Sequence, residues 1–345
     1  MRSIIVGVTL VFLLIGCTAV NSPVISLEPA HPLVGRIFRA DAYQEITSPE
    51  LIEALASADV IYLGERHDNQ QHRHEQLRLV MALLERGLRP QLGMEVFSVE
   101  TTPLLMRYSQ GAGTNYAVKG SPDDILRQQL GWGADYDGPW QRYGSLIQLA
   151  RKEQLPLFGI DLSKPLRRRI TQLGVNELTP LEKNLLYPSV SPDENYRVYM
   201  YRVLKRAHCG WGSPEYLGRL YDNWLARNDA MATSITTMAE RPSEGPVVVI
   251  VGAGHTEFNR GVYERVKIRS PHLNQVNLIL QGVQQGKSEP PYYFQAEDVF
   301  EQESDREHEI MLFTDGPQGK SDEDLCKEFL RKNHAPKKNS KLIPL

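Results

Sequence analysis

The sequence predicts an α/β fold in which a mostly parallel sheet is flanked by helices and a small all-helical subdomain is inserted. Three observations predict it. Short apolar runs alternate with segments of helical periodicity, several runs end at Gly or at an acidic residue, and residues 163–240 read as almost wholly helical. Strands separated by helical segments of about ten or more residues form βαβ units, which build a parallel sheet covered on both faces.

Six apolar runs are the strand candidates, because short apolar runs bounded by turn signals are typical of buried strands. In chain order they are Val60–Leu63, Gln91–Phe97, Leu157–Ile160, Val247–Val251, Asn277–Leu280 and Ile310–Phe313. The fourth run is the strongest signal, since all five of its residues are Val or Ile.

Helical periodicity fills the intervals between these runs. After the first run, a helix is predicted from the capping residue Asn69 to about Arg86, with Gly87 as its stop. Its apolar positions recur at spacings of three and four: Leu77, Val80, Met81 and Leu84. Pro139 suits the first turn of a later helix that ends near Glu153.

The amino terminus is typical of an exported protein. Arg2 precedes a mostly apolar segment, Ile4 to Ile15, which is too short to span the ~30 Å hydrocarbon core of a bilayer and matches a signal peptide. The segment runs into Leu14-Ile15-Gly16-Cys17, which resembles the bacterial lipobox. That resemblance implies cleavage after residue 16 and lipidation of Cys17. Thr18 follows where an inner-membrane retention signal usually has Asp, which favours an outer-membrane lipoprotein facing the periplasm.

These signals divide the chain into four parts. Residues 1–16 are predicted to be the signal peptide, 17–35 a lipidated tether, 36–315 the α/β domain, and 316–345 a peripheral tail that includes a helix over Asp322–Arg331. Cys209 and Cys326 remain after Cys17 is modified, but pairing between cysteines so far apart in sequence depends on a distance that spacing does not give.

The charge balance argues against one class of partner. The chain has 39 Lys and Arg against 42 Asp and Glu, a formal net charge of -3. No strong positive field therefore favours polyanions over the whole surface, and no binding to nucleic acid is expected.

Two predicted strands end in the same pattern, a glycine followed three positions later by a histidine. Gly64 leads to His67, and Gly252 leads to His255. The carboxyl ends of parallel strands share one edge, and open α/β sheets bind their ligands in the crevice there. We therefore expect the two histidines to converge with acidic residues at neighbouring strand ends, which are Glu65, Glu95 and Asp161.

That group of side chains suits two chemistries. Two imidazoles and a carboxylate, here His67, His255 and Glu95, are the usual ligands of a divalent first-row metal that keeps one position for water. Alternatively, a histidine paired with Glu65 or Glu95 can act as a general base near neutral pH. A purely structural role for each histidine turn is the third alternative, and the residue pattern leaves all three open.

An aromatic stretch precedes the third strand candidate. Trp132, Tyr136, Trp140 and Tyr143 follow one another at spacings of four, four and three. This spacing fits core packing, and it equally fits a wall for a flat apolar ligand, with a tyrosinate able to ligate ferric haem. Helical spacing does not separate these interpretations.

Five segments resemble the ChaN-like haem-binding uptake proteins, also called iron-regulated lipoproteins, within a wider group that includes erythromycin esterase, Tiki and TraB relatives. They are YLGERHDN, GMEVF, WQRYGSLIQLARKEQLPLFGID, RNDAMATSI and VVVIVGAGH, and the similarity spans about residues 35 to 315. The resemblance implies an α/β domain with a small helical domain. It also implies a cell-envelope lipoprotein that binds haem iron for uptake or storage, with a homodimer that holds a cofacial haem pair through tyrosine ligation.

The resemblance also suggests roles for residues. Tyr143 is the first candidate haem ligand and Tyr136 the second, with Trp140 beside them. In the wider relatives, the positions of Glu65, His67, Glu95 and His255 look like a proposed metal or catalytic site, so a metal-dependent, peptidase-like hydrolase is the alternative function. This chain departs from the family by its longer helical block and its tail beyond residue 315.

Overall fold

The computed structural model describes residues 31–40, 43–111, 120–133, 138–189, 194–294, 309–316 and 322–334. The predicted signal peptide, the lipidation site Cys17, most of the predicted tether and the candidate ligand Tyr136 lie outside the described residues. Within the described ranges, no helix combines the length and hydropathy that crossing a membrane requires.

In the described part of the chain, eight strands form one sheet in the order β2-β1-β8-β7-β3-β6-β4-β5. The strands are β1 (Ile37–Arg39), β2 (Gln44–Ile46), β3 (Val60–Glu65), β4 (Gln91–Ser98), β5 (Leu157–Asp161), β6 (Val247–Gly252), β7 (Gln275–Gly282) and β8 (Glu309–Thr314). Strands β8 to β5 in that order pair in parallel, whereas β1 pairs antiparallel with both β2 and β8.

Helices connect the parallel strands. Before β6 they are α1 (Ser48–Ala56), α2 (Gln70–Glu85), α3 (Thr102–Gln110), α4 (Pro122–Gln129), α5 (Gly138–Lys152), α6 (Lys164–Leu173), α7 (Pro180–Lys183), α8 (Glu194–Ala207) and α9 (Pro214–Ala239). After β6 they are α10 (Val262–Arg269) and α11 (Asp322–His334). Single 3₁₀ turns cover Val99–Thr101, Ala253–His255, Glu257–Asn259 and Pro290–Tyr292.

The predicted fold class is confirmed, because all six predicted strands are present in a mostly parallel sheet with helices around it. Sequence reasoning missed the β1–β2 hairpin, whose strands have three residues each and no apolar run. Helix α4 was not predicted either. There, Ser121 and Asp124 form a capping box that starts a helix immediately after a glycine-rich segment.

Both faces of the sheet are buried, as the continuous apolar runs predict. Along β3, Ile61 and Leu63 pack in one apolar cluster, whereas Val60 and Tyr62 pack in a second cluster that includes residues of α9 and α10. Successive side chains of a strand point to opposite faces, so the two clusters lie on the two sides of the sheet. This packing on both faces fixes the central strands, whose carboxyl ends lie side by side at one edge of the sheet.

The helical block between β5 and β6 has its own small core. Tyr196, Tyr199, Met200, Leu204, Leu217 and Tyr221 form an apolar cluster between α8 and α9. The long helix α9 then packs against α6, β5 and α10. It therefore links the helical block to the sheet and carries polar side chains past the strand ends.

Cys209 and Cys326 form a disulfide, with their Cα atoms 5.4 Å apart. The bond joins α11 to the loop that follows α8. Beside it, the ring of Phe329 contacts His208 and Trp211 edge to face at centroid distances of 6.0 and 6.2 Å. The C-terminal helix is thus covalently attached to the helical block.

Candidate functional site at the carboxyl edge of the sheet

The strand register brings the two histidine turns together. β3 and β6 pair in parallel up to Glu65 opposite Gly252, so the turns that follow both strands start at the same level. β4 lies on the other side of β6, and its pairing with β5 shifts between Met94 and Ser98. Glu95 lies in this irregular stretch, where a bulge redirects side chains, and the carboxylate contacts both β6 and α9.

His67, Glu65 and Tyr143 form one hydrogen-bonded group. The His67 Nδ1–H donates to Glu65 Oε1 at 2.8 Å, since a carboxylate can only accept, and the Tyr143 hydroxyl donates to the same oxygen. Gln76 Nε2 donates to Glu65 Oε2 at 2.9 Å. Glu65 is buried, whereas the His67 side chain is 55% exposed. The imidazole is therefore fixed at Nδ1 and presents Nε2 to its surroundings.

This group shifts two pKa values in the same direction for different reasons. The hydrogen bond to Glu65 raises the pKa of the His67 imidazole, because the carboxylate stabilises the imidazolium. Burial raises the pKa of the Tyr143 phenol above its ordinary range, and the negative charge of Glu65 adds to the effect. Tyr143 is thus held as a neutral phenol.

Arg227 of α9 joins the second and third acidic side chains. Its Nη2 donates to Glu95 Oε1 at 2.6 Å and to Asp161 Oδ2 at 2.9 Å, and its Nε donates to Asp161 Oδ1 at 2.9 Å. Arg167 adds an ion pair with Asp161 Oδ2 at 2.8 Å, and the Gly252 N–H donates to Glu95 Oε2 at 2.7 Å. Both carboxylates are therefore satisfied by protein donors.

The environment keeps Glu95 ionised. Burial opposes ionisation, but the nearby His255 imidazole and the Arg227 guanidinium outweigh it and hold the pKa of the Glu95 carboxyl well below its usual range. The sequence did not reveal Arg227 as part of the site. The available signal was the polar run Arg227-Asn228-Asp229 inside a helix that is otherwise apolar on its buried face.

His255 is buried and held on two sides. Its ring stacks on the indole of Trp224 at 3.8 Å with an 8° interplanar angle, and its Nδ1 pairs with Asn228 Oδ1 at 2.5 Å. Burial lowers the pKa of the His255 imidazole. Gly261, with φ +62°, closes this turn, and a Cβ at that position would overlap the carbonyl oxygen of His255.

The geometry does not support the predicted divalent metal centre. His67 Nε2 and His255 Nε2 lie 3.9 and 3.6 Å from Glu95 Oε1. That oxygen already accepts from the Arg227 guanidinium, which supplies the positive charge that a metal would otherwise bring. Across the described ranges, no group of three or more His, Cys, Asp or Glu side chains is placed to hold a metal ion. The assignment of a metal to His67, His255 and Glu95 therefore gains no support here and stays a prediction.

A cleft of about 700 Å³ opens on one side of His67, between the ends of β4 and β5 and helices α5 and α6. Phe97 and Trp132 stack in its wall, with ring centroids 5.4 Å apart and planes 11° apart. Tyr143 and Arg142 of α5 and Lys164 of α6 also line it. We call this space the aromatic cleft.

A second cleft, of about 760 Å³, lies on the other side of His67. Its lining includes Trp224, His255 and Gly254, and we call it the glycine cleft. His67 and Glu95 line both clefts. His67 and Glu95, which were predicted to come together at the strand ends, therefore separate the two clefts.

The aromatic residues predicted from the sequence have different positions. Trp132 and Tyr143 line the aromatic cleft. Trp140 is partly buried against the main apolar cluster, and the Arg127 guanidinium lies 5.8 Å from its ring centroid. Trp140 and Tyr143 both lie on α5, whereas Trp132 follows the end of α4, so the even spacing does not reflect a single helix.

The model of the family described as "Haem-binding uptake, Tiki superfamily, ChaN" matches residues 51–266. Among solved structures, ChaN of Campylobacter jejuni with cofacial haem is 18% identical, with 72% of this chain and 91% of that chain covered and a TM-score of 0.56. The erythromycin esterase EreC in its open conformation is 12% identical over 72% of this chain and 76% of that one, with a TM-score of 0.40. No curated protein sequence matches the chain.

Proposed function

The chain belongs to the haem-binding uptake family of the Tiki superfamily that includes ChaN, and we propose on this basis that it binds haem in the aromatic cleft. The match covers residues 51–266, which include both histidine turns and the helices α4 and α5 that border this cleft. The observation that carries the proposal is the stacked pair of Phe97 and Trp132 in a cleft that also contains the exposed His67 imidazole.

The lining residues fit a porphyrin. Ligand sites for small molecules usually measure about 300–1,000 Å³ and combine apolar walls with a few polar groups. The partly buried Trp132 indole, supported from behind by the buried Phe97 ring, offers a flat wall, Leu130 adds apolar surface, and the polar groups lie at Tyr143, Arg142 and Lys164. When bound, haem would supply an iron atom with an open axial position.

Among the described residues, Tyr143 and His67 are the two candidate ligands of the haem iron. Tyr143 is the candidate from family resemblance, and it stays a prediction. Its hydroxyl now donates to Glu65, so ligation as phenolate requires the Glu65 carboxylate to release it or to take up a proton. His67 is the second candidate, because Glu65 holds its Nδ1 and orients the ring, as acceptors commonly do for ligating histidines.

We further propose that the protein acts at the cell envelope in haem iron uptake or storage. The lipobox at Cys17 supports a lipid anchor, and Thr18 favours the periplasmic face of the outer membrane as its location. A cofacial haem pair is proposed by analogy with ChaN of Campylobacter jejuni, and the homodimer that the family resemblance implies would hold it. Labelling of Cys17 with a radioactive fatty acid, followed by membrane fractionation, tests the anchor. Sizing with and without haem tests the dimer.

Haem titration of the purified Cys17→Ser protein tests the central proposal. We expect a saturable shift of the Soret band, and a much weaker one when Trp132 is replaced by Leu. Trp211→Leu, a change at a partly exposed aromatic residue of the helical block, is the matched control and should leave the titration unchanged. An unshifted Soret band in the parent protein would refute the proposal.

The two candidate ligands differ in their spectra. Tyr143→Phe removes ferric-tyrosinate bands if the phenolate is the ligand, whereas His67→Ala removes an imidazole-type spectrum if His67 is. Because Phe keeps the ring in place, the first variant changes the hydroxyl alone. Unchanged spectra in either variant reject that residue as the axial ligand.

A second function, hydrolysis, is favoured by one observation. The Glu65–His67 pair has the arrangement of a general base, with Nδ1 held at 2.8 Å and Nε2 at the junction of the two clefts. This version needs no metal and involves the same four residues as the sequence-based alternative, namely Glu65, His67, Glu95 and His255. Ester and peptide substrates assayed in EDTA test it. Turnover that is equal in the parent and in His67→Ala would reject it.

A further inference from the structure

We propose that Arg142 and Lys164 bind the two carboxylates of the ligand in the aromatic cleft, so that the cleft selects a porphyrin with free carboxylates over the same macrocycle with esterified ones. The inference rests on the proposed function. It adds the chemical feature by which the site would recognise its ligand and the residues that would do so.

The inference rests on which charged side chains of the cleft are already paired. Two acidic side chains line it, Glu95 and Asp161. Both are already neutralised, since Arg227 binds the two carboxylates together and Arg167 forms an ion pair with Asp161. The acidic residues therefore leave no negative charge to balance further cations.

Two lining cations remain after this pairing. Arg142 and Lys164 are both exposed, and in the described part of the chain neither has an ion-pair or hydrogen-bond partner. Of the four cations at the cleft, Arg167 and Arg227 pair with Asp161 and Glu95, so Arg142 and Lys164 are an excess of two positive charges over these two carboxylates. Glu65 lies behind the lining and accepts hydrogen bonds from His67, Tyr143 and Gln76. A ligand with two carboxylates matches this excess in sign and number.

The position of the two cations fits binding at the mouth of the cleft. Arg142 precedes Tyr143 on α5, and Lys164 is the first residue of α6, so the two charges come from separate elements that border the same space. The cap residue Ser163 makes no side-chain hydrogen bond at the start of α6, which leaves the partial positive charge of that helix end available to an anion as well. A porphyrin has its carboxylates on one edge, which would lie at the mouth while its apolar part contacts Phe97 and Trp132.

Comparative titration tests the inference. The probes are iron protoporphyrin IX and its dimethyl ester, in the same mild detergent, with the Cys17→Ser protein. Charge-assisted hydrogen bonds that form on binding change affinity by about tenfold each. We expect the diacid to bind the parent protein about 100-fold more tightly than the ester, and the double variant Arg142→Gln/Lys164→Gln to lose most of this preference.

Matched controls lie on the same helices. Lys152→Gln on α5 and Arg168→Gln on α6 remove exposed charges that do not line the cleft, and both should keep the full preference for the diacid. Circular dichroism confirms that each variant is folded. Because all four substituted residues are exposed, none should alter the secondary structure.

The outcomes distinguish a failure of the proposed haem binding from a failure of the proposed carboxylate recognition. If the parent binds neither porphyrin, the proposed function fails and the inference fails with it. If the parent binds both equally, haem binding stands and the inference is overturned. A double variant that keeps the parent's preference also overturns it, and so does an equal loss in the two control variants, because general surface charge would then explain the selectivity.

Discussion

Replacing Arg227 by Met tests how the site is held together. The guanidinium is 14% exposed and bridges Glu95 and Asp161, which are themselves almost fully buried at the ends of β4 and β5. Met keeps the length and apolar stem but removes every donor. Breaking a buried ion pair by removing one partner costs about 3–5 kcal/mol, because the remaining charge is left without compensation. We expect the free energy of unfolding at pH 7 to fall by about this amount.

The stability loss of Arg227→Met should depend on pH, because Arg227 affects the pKa of Glu95. In the parent protein the pKa of Glu95 is depressed, so this carboxylate stabilises the fold above its unfolded pKa and the stabilisation is lost as the pH falls through the folded pKa. In Arg227→Met one of the cations that offset burial is gone, so the pKa of Glu95 rises. Protonation then removes an unpaired charge. The stability deficit of the variant should therefore shrink as the pH is lowered from 7 towards 4.

Urea denaturation followed by circular dichroism at several pH values measures both effects. Arg168→Met on the exposed side of α6 is the control, and it should match the parent at every pH. The triple change Arg227→Met/Glu95→Gln/Asp161→Asn should recover part of the loss at pH 7. A deficit below 1 kcal/mol, or one that does not vary with pH, would contradict the electrostatic account.

Three further predictions concern neighbouring features. Glu65→Gln should lower the pKa of His67, measured by NMR titration of its ring protons, because the carboxylate hydrogen bond is the main cause that raises it; an unchanged pKa would contradict this cause. Gly261→Ala should destabilise the fold by about 2 kcal/mol or more, through a positive φ and the clash with His255, and equal urea midpoints would count against it. Cys209→Ser should release α11 and speed proteolysis near residue 320, whereas an unchanged cleavage pattern would show that aromatic contacts alone hold the helix.

Much of the fold follows from local patterns. Continuous apolar runs such as Val247–Val251 define buried parallel strands, and the cap Asn69 with Gly87 defines α2 almost to the residue. Because parallel strands share a carboxyl edge, the approach of His67 and His255 to one place could be predicted as well.

Other parts of the site depend on long-range packing, which local patterns do not encode. Arg227 reaches Glu95 across 132 positions, from the middle of a long helix whose polar run at 227–229 does not indicate which strand ends it meets. For the same reason the sequence did not show that Glu95, one of the three residues of the predicted metal site, is bound by a guanidinium. Tyr143 was a candidate ligand from family resemblance, but its hydrogen bond to Glu65 depends on how α5 packs against α2 and α3.

The shared partition of the two clefts has a consequence for any pair of molecules that occupy them. The single His67 imidazole, held at Nδ1 by Glu65, has only one Nε2 to offer, so a ligand that binds this nitrogen in the aromatic cleft withdraws it from the glycine cleft. Two such ligands would compete without contacting each other, and each would lower the binding affinity of the other by the same factor. The residues that separate the two clefts would then also couple binding in one cleft to binding in the other.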